Sequence, residues 1–119
     1  DGVEVILGAR NDPLYGPILV VGSGGVLVEL TRDTAVSLLP ATAGDIRDKI
    51  GALKLKALLK GYRGKPPGDL DALAKALVAL SQLAHIKNPV VLEAEINPLM
   101  VLPRGQGVVA VDALVKLSV

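Results

Sequence analysis

The sequence predicts an α+β domain, built mainly on an antiparallel sheet with two or three packed helices. Short runs rich in β-branched residues fill the first forty residues and the last thirty, whereas the middle carries apolar residues at helical spacing. Strands gathered at both ends of a chain favour an α+β layout over alternating βαβ units. At 119 residues, the chain is expected to be one domain or a piece of one.

Four strands are expected before the helices: Val3–Ala9, Ile18–Gly22, Val26–Leu30 and Ala35–Leu39. Between the second and the third lies Gly22-Ser23-Gly24-Gly25, whose glycines can adopt the positive φ angles of a tight hairpin turn. The segment lacks the Lys-Ser/Thr of a P-loop, so a turn is favoured over contact with a phosphate.

The helical region begins at Thr42, which forms a capping-box pattern with Asp45. This helix is expected to break near Gly51 and to continue to Lys60, before a left-handed Gly61. A second amphipathic helix follows an Asp69 cap. Its apolar stripe comprises Leu70, Leu73, Ala74, Leu77, Leu80, Ser81 and Ala84.

Two strands are expected to close the domain as a hairpin, Val90–Leu102 and Val108–Leu117. Pro103-Arg104-Gly105-Gln106-Gly107 separates them, and these residues favour a turn.

Composition excludes several classes of partner. Thirteen basic and twelve acidic residues leave a net charge of +1, and the only aromatic residues are two tyrosines. Nucleic acid and an anionic membrane are therefore not expected as partners. A soluble cytoplasmic protein is expected, and the strand-like start at Asp1, without an initiating Met, is typical of a fragment.

Polar side chains interrupt the last two predicted strands. Alternation places Glu93, Glu95 and Asn97 on one face, and Asp112 lies in an otherwise apolar run. If the hairpin turns about Arg104-Gly105, then Asn97 and Asp112 lie opposite each other, with Cβ atoms about 4.5–5.5 Å apart. Two such oxygen ligands could share one Mg²⁺. The alternative is a solvated strand face, or a strand-end pair of Asp112 with Lys116.

Several segments, taken in order, resemble a known family. They are Asp12–Pro17, Gly22–Glu29, Leu59–Gly64, Glu95–Leu99 and Val111–Ala113. Their sequences and order are similar to the ATP-grasp domain of succinyl-CoA synthetase β subunits and NDP-forming acyl-CoA synthetases, and they match its C-terminal lobe. The resemblance covers nearly the whole chain.

The resemblance implies a nucleotide site for ATP or ADP. Asn97 and Asp112 match the family's Mg²⁺ ligands, and Glu95 matches an acidic residue beside the phosphoryl-transfer site, which makes it the catalytic candidate. The candidate nucleotide contacts are Asp12, Gly24, Gly25 and Arg63. Each also has a purely structural interpretation. Asp12 would shape its loop, Gly24 and Gly25 would be turn residues, and Arg63 would be a solvated side chain. The role of Arg10 stays open, because the family often has a less charged stretch there.

The implied activity is that of an acid-CoA ligase that forms ADP through an acyl phosphate and a phosphohistidine. The preceding ATP-grasp lobe, a CoA-binding module and a phosphohistidine module would be the partners of this fragment, which alone is expected to be inactive. Two alternatives are a regulatory region fused to a protein acetyltransferase and another ATP-grasp ligase, such as a carboxylate–amine ligase.

Overall fold

The computed structural model describes residues 2–24, 33–61, 64, 66–86 and 90–118. Within them the chain forms six strands and three helices, in the α+β layout predicted from the sequence. The elements in chain order are β1 (Val3–Asp12), β2 (Gly16–Ser23), β3 (Thr34–Leu38), α1 (Ala43–Gly51), α2 (Leu55–Leu59), α3 (Leu70–Leu83), β4 (Val91–Val101), β5 (Val108–Ala110) and β6 (Ala113–Leu117). The expected strand Val26–Leu30 lies outside the described residues.

The strands form one antiparallel sheet with the order β3-β2-β1-β4-β5, and β6 also pairs with β4. The first and fourth strands are therefore neighbours at its centre. Their pairing shifts register once, between Val5 and Leu7 of β1. Because these two strands are distant in the sequence, this central pairing brings together residues that no local motif connects.

The expected hairpin turn at Gly22-Ser23-Gly24-Gly25 is wrong for its first two residues. Gly22 and Ser23 lie in β2, where Gly22 is opposite both Ile6 of β1 and Thr34 of β3. A Cβ atom on Gly22 would lie only 2.7 Å from the backbone oxygen of Asp33. The glycine is needed for this close approach of the two backbones and not for a turn.

The helical region follows the sequence prediction closely. Thr42 and Asp45 form the expected capping box at the start of α1. The helix stops at Gly51, resumes as the short α2, and is followed by Gly61 with a φ of +94°. None of the described helices is long and apolar enough to cross a membrane.

The core is aliphatic and lies between the helices and one face of the sheet. Val5, Leu7 and Ala9 of β1 point into it, and the apolar stripe of α3 packs on this face with Leu73 and Leu77 fully buried. Since alternate residues of a strand point to opposite faces, Gly8 and Arg10 lie on the face away from the core. That second face carries the polar residues singled out in the sequence.

Candidate functional site

The register of the C-terminal hairpin confirms the arrangement expected for Asn97 and Asp112. Leu99 pairs with Ala110, and Glu95 pairs with Leu114. Between these pairs the amide of Asn97 donates a 3.0 Å hydrogen bond to the carbonyl oxygen of Asp112. Asn97 and Asp112 are therefore neighbours across the two strands.

The strand predicted over Val108–Leu117 is interrupted at Val111 and Asp112, where β5 ends and β6 has not yet begun. Proline has no amide hydrogen, so Pro98 can accept a hydrogen bond from Val111 but cannot donate one in return. The hydrogen-bond ladder therefore lacks one bond between Pro98 and Val111, next to Asp112.

Three candidate residues line one open pocket of about 300 Å³, together with Ala113 and Leu114. They are Glu95, Asn97 and Asp112. Asn97 and Asp112 are exposed, and Glu95 is partly buried. Ile96, which lies between Glu95 and Asn97, packs against the core.

Glu95 also lines a second, smaller pocket of about 130 Å³. Arg10 and Glu93 are the other charged residues that line it, and Gly8 of β1 lines it as well. The two pockets share Glu95 and lie on the face of β1, β4 and β6, and together they are named here the trough. Asn97 and Asp112 lie at one end of the trough, and Arg10 and Glu93 lie at the other.

The residues at the first end suit Mg²⁺. They offer one amide oxygen from β4 and one carboxylate from the link between β5 and β6, with a second carboxylate, Glu95, beside them. Mg²⁺ is usually held by one or two carboxylates while waters and substrate phosphates complete its shell. Within the described ranges no three His, Cys, Asp or Glu residues cluster as a protein-only metal cage would require. The donor set therefore fits a magnesium ion whose remaining ligands are waters or substrate phosphates.

Asp69 holds this hairpin against the helical layer. Its carboxylate accepts a hydrogen bond from the amide of Ala72 at the start of α3, which confirms the expected cap. It also accepts hydrogen bonds from Gly105 at 3.1 Å and Gly107 at 2.9 Å, in the turn between β4 and β5. These amides, that of Ala72 foremost, hold the pKa of Asp69 below its ordinary value.

Asp12 shapes the turn between β1 and β2. Its carboxylate accepts hydrogen bonds from the amides of Leu14 and Tyr15, at 2.8 and 3.0 Å, and these amides lower the pKa of Asp12. The ordinary interpretation of Asp12 as a loop-shaping residue is thus present in the structure. Contact with a nucleotide stays a prediction for this residue.

Of the glycine and arginine candidates for nucleotide contact, the structure describes only Gly24. The amide of Gly24 donates to the carbonyl oxygen of Glu4 at 2.9 Å, so it is engaged within the sheet. A Cβ atom there would lie 3.0 Å from the backbone of Glu4, which explains the glycine without a ligand. Gly25 and Arg63 lie outside the described residues.

Sequence reasoning missed the role of Asp33, which is almost fully buried. Its carboxylate accepts hydrogen bonds from the hydroxyl of Ser23 at 2.6 Å and from the amides of Lys54 and Leu55 at 2.8 and 2.7 Å. It thus joins the end of β2 to the start of α2. A lone Asp between two predicted strands gives no local sign of such distant partners.

Comparison with known proteins places the chain in a family. The family model of the ATP-grasp domain matches residues 1–117, so the chain belongs to the ATP-grasp domain family. It is 39% identical over 117 residues to a trans-feruloyl-CoA synthase from an unknown prokaryotic organism, covering 98% of this chain and 16% of that protein. It is 35% identical over 117 residues to the β subunit of acetate–CoA ligase (ADP-forming) II from Pyrococcus furiosus, covering 98% of this chain and 50% of that protein.

Solved structures agree with this assignment. The dinucleotide-forming acetyl-coenzyme A synthetase 1 of Ca. Korarchaeum cryptofilum, in complex with coenzyme A and Mg-AMPPCP, superposes with a TM-score of 0.90 at 35% identity. The match covers 99% of this chain and 54% of that one. A Pyrococcus horikoshii protein matches with a TM-score of 0.89 at 34% identity, over 98% of this chain and 49% of that one. The chain thus spans about half the length of these structures.

Proposed function

We propose that this chain is the Mg-nucleotide-binding lobe of an ADP-forming acid-CoA ligase. The observation that carries the proposal is the register that sets Asn97 opposite Asp112 and beside Glu95 in one open pocket. The kinship with acid-CoA ligases supports the same conclusion. The bound species would be Mg-ATP in one direction of the reaction and Mg-ADP in the other.

Asn97 and Asp112 would hold the magnesium ion through one amide oxygen and one carboxylate. The ion would neutralise phosphate charge at the trough and fix the direction in which the terminal phosphate points. Glu95, two residues from Asn97 on the same face, would orient the group that exchanges the phosphoryl with the nucleotide. Phosphoryl transfer needs mainly such positioning and charge neutralisation from a protein, and a rigid sheet supplies both.

The reaction of the whole enzyme would convert a carboxylic acid, CoA and ATP into acyl-CoA, ADP and phosphate. Relatives of this chain carry names that specify different acids, among them acetate and 4-hydroxybutyrate. The names of the relatives therefore do not identify the carboxylic acid used by the enzyme that contains this lobe. Parts of the enzyme beyond these 119 residues would bind the acid and CoA and carry the phosphoryl group through an acyl phosphate and a phosphohistidine.

The proposal is tested on the full-length protein that carries this lobe, by calorimetric titration with ADP in the presence of Mg²⁺. The wild type should bind the nucleotide, and Asn97→Ala should weaken binding about tenfold, since it removes one oxygen ligand. Gln82→Ala, at an exposed position of α3 in the helical layer, serves as the matched control and should bind like the wild type. Equal affinities in all three proteins would contradict the proposal.

A further inference from the structure

A pocket of about 520 Å³ opens in the helical layer, on the side of the sheet away from the trough. It is bounded by α1, by α2, by Pro67 and Gly68 before α3, and by Arg104 in the turn between β4 and β5. Pockets for small ligands usually measure about 300–1,000 Å³. The size of this pocket, named here the helical pocket, therefore suits a small organic ligand.

The base of the helical pocket is apolar and its edge is charged. On α1, Ile50 is buried, and Arg47 lies three positions earlier on the same helix face. On α2, Leu59 is buried. The amide of Lys60 donates to the carbonyl oxygen of Lys56, so these two lysines lie one helical turn apart, beside Leu59. A ligand would find aliphatic contacts at the base and cations around them.

The lining of the helical pocket is strongly positive. Four described cations and one described carboxylate, Asp48, give it a charge of +3. The cations, all exposed, are Arg47, Lys56, Lys60 and Arg104. Over the described ranges the one salt bridge joins Arg47 to Asp71, so no described carboxylate is in ion contact with the two lysines or Arg104. An anion can therefore reach three cations without displacing such a partner.

Gly51, the last residue of α1, keeps one wall of the helical pocket open. A Cβ atom there would have no neighbouring heavy atom within 4 Å. Gly51 is also not one of the described glycines with a positive φ. Neither a close approach of other atoms nor the backbone conformation requires this glycine, whereas an open pocket wall does.

We propose that the helical pocket binds a small organic polyanion, whose apolar or ring-shaped body rests on Ile50 and Leu59. Its anionic groups would lie against Lys56, Lys60 and Arg104. The planar fork of arginine suits a phosphate or a carboxylate, and the lysines add point charges. The inference goes beyond the proposed function, because the helical pocket and the trough lie on opposite sides of the sheet and can be occupied together.

A ligand in the helical pocket would also join the helices to the hairpin. The amide of Arg104 already donates a 2.8 Å hydrogen bond to the carbonyl oxygen of Pro67. An anion held by both Lys60 and Arg104 would add a link between the end of α2 and the turn between β4 and β5. Binding should therefore slow hydrogen exchange at the turn amides of Gly105 and Gly107.

The probe is a fluorescent pyrene trisulfonate, titrated into the full-length protein without Mg²⁺ and followed by fluorescence anisotropy. Its ring system is apolar, and its sulfonates stand in for phosphates or carboxylates. Lys60→Gln and Arg104→Gln should each weaken binding about threefold to tenfold, because a cation is lost. Lys49→Gln, at an exposed lysine of α1 that does not line the pocket, is the matched control and should bind like the wild type.

Gly51→Met tests the site without changing its charge. The long side chain would occupy the open space beside α1 and should weaken probe binding about tenfold or more. A melting curve of each variant checks that the fold is retained. Full affinity in Gly51→Met, equal affinities in Lys60→Gln and Lys49→Gln, or no probe binding by the wild type would overturn the site.

Hydrogen exchange of the wild type gives a readout that needs no variant. Slower exchange at Gly105 and Gly107 with the probe bound supports the helical pocket, and protection confined to the strands of the trough would refute it. Competition then identifies the anionic groups of the ligand. Displacement of the probe by ADP without Mg²⁺ assigns phosphates, and displacement by citrate assigns carboxylates.

Discussion

The carboxylate of Asp69 accepts a 2.9 Å hydrogen bond from the amide of Gly107, thirty-eight positions along the chain. The same carboxylate caps α3 through Ala72. One side chain thus fixes the start of the longest helix to the turn of the hairpin that carries Asn97 and Asp112. The helical layer and the polar trough are coupled through this residue.

Asp69→Ala should lower the melting temperature by about 3–6 °C, because it removes both a helix cap and the acceptor for two turn amides. Hydrogen exchange should accelerate at the amides of Gly105 and Gly107. Asp71→Ala, in the exposed first turn of the same helix, removes only a surface ion pair with Arg47 and should change little. Equal protection of both turn amides in Asp69→Ala and the wild type would contradict the coupling.

Gly22→Ala should destabilise the protein by about 1–3 kcal/mol. The new Cβ atom would lie 2.6 Å from Cγ2 of Thr34 and 2.7 Å from the carbonyl oxygen of Asp33, and a backbone atom cannot easily move away. The matched change Gly51→Ala places a methyl group where nothing lies within 4 Å, at the end of α1. It should be neutral or stabilise by about 0.5 kcal/mol. Chemical denaturation measures both, and a stable Gly22→Ala protein would refute the close-approach explanation.

Asp33 should contribute to the loss of stability in acid. Burial alone would raise the pKa of Asp33, but hydrogen bonds from Ser23, Lys54 and Leu55 outweigh it and hold the pKa below its ordinary value. A group whose pKa is depressed by folding stabilises above its unfolded pKa, about 3.9 for Asp, and this contribution disappears as the pH falls through the folded pKa.

The variant Asp33→Asn should therefore be less stable than the wild type at pH 7, and the difference should shrink towards pH 2. Urea unfolding at several pH values measures this, with Asp48→Asn on the exposed face of α1 as the control. A stability difference that stays constant with pH would show that the charge of Asp33 contributes nothing.

The sequence predicted those features that depend on neighbouring residues. The capping box of Thr42 and Asp45, the cap at Asp69 and the stripe of α3 are local patterns, and the structure contains all of them. The register of Asn97 with Asp112 was also accessible, because a short turn and a period of two fix which residues of a hairpin are opposite.

The features that the sequence did not predict depend on distant partners. The neighbours of Gly22 are typical of turns, and they therefore predict a turn at this position. The glycine is instead required because the backbone of Asp33 and Thr34 lies close to it. Arg10 pairs with Glu93, eighty-three positions later, and no local pattern indicates which strands become neighbours. Asp33 likewise finds Lys54 and Leu55 only in the folded chain.

The central claim is that Asp112 ligates magnesium as a negative charge, and Asp112→Asn in the full-length protein tests it most directly. The substitution keeps the size of an exposed side chain, so the melting temperature should stay within about 1–2 °C of the wild type. The measurement is nucleotide-dependent phosphoryl transfer across a magnesium titration. We expect the half-saturating magnesium concentration to rise about tenfold or more, because the carboxylate is lost and only a neutral oxygen remains. An unchanged magnesium midpoint with unchanged turnover would contradict the assignment of Asp112 as a metal ligand.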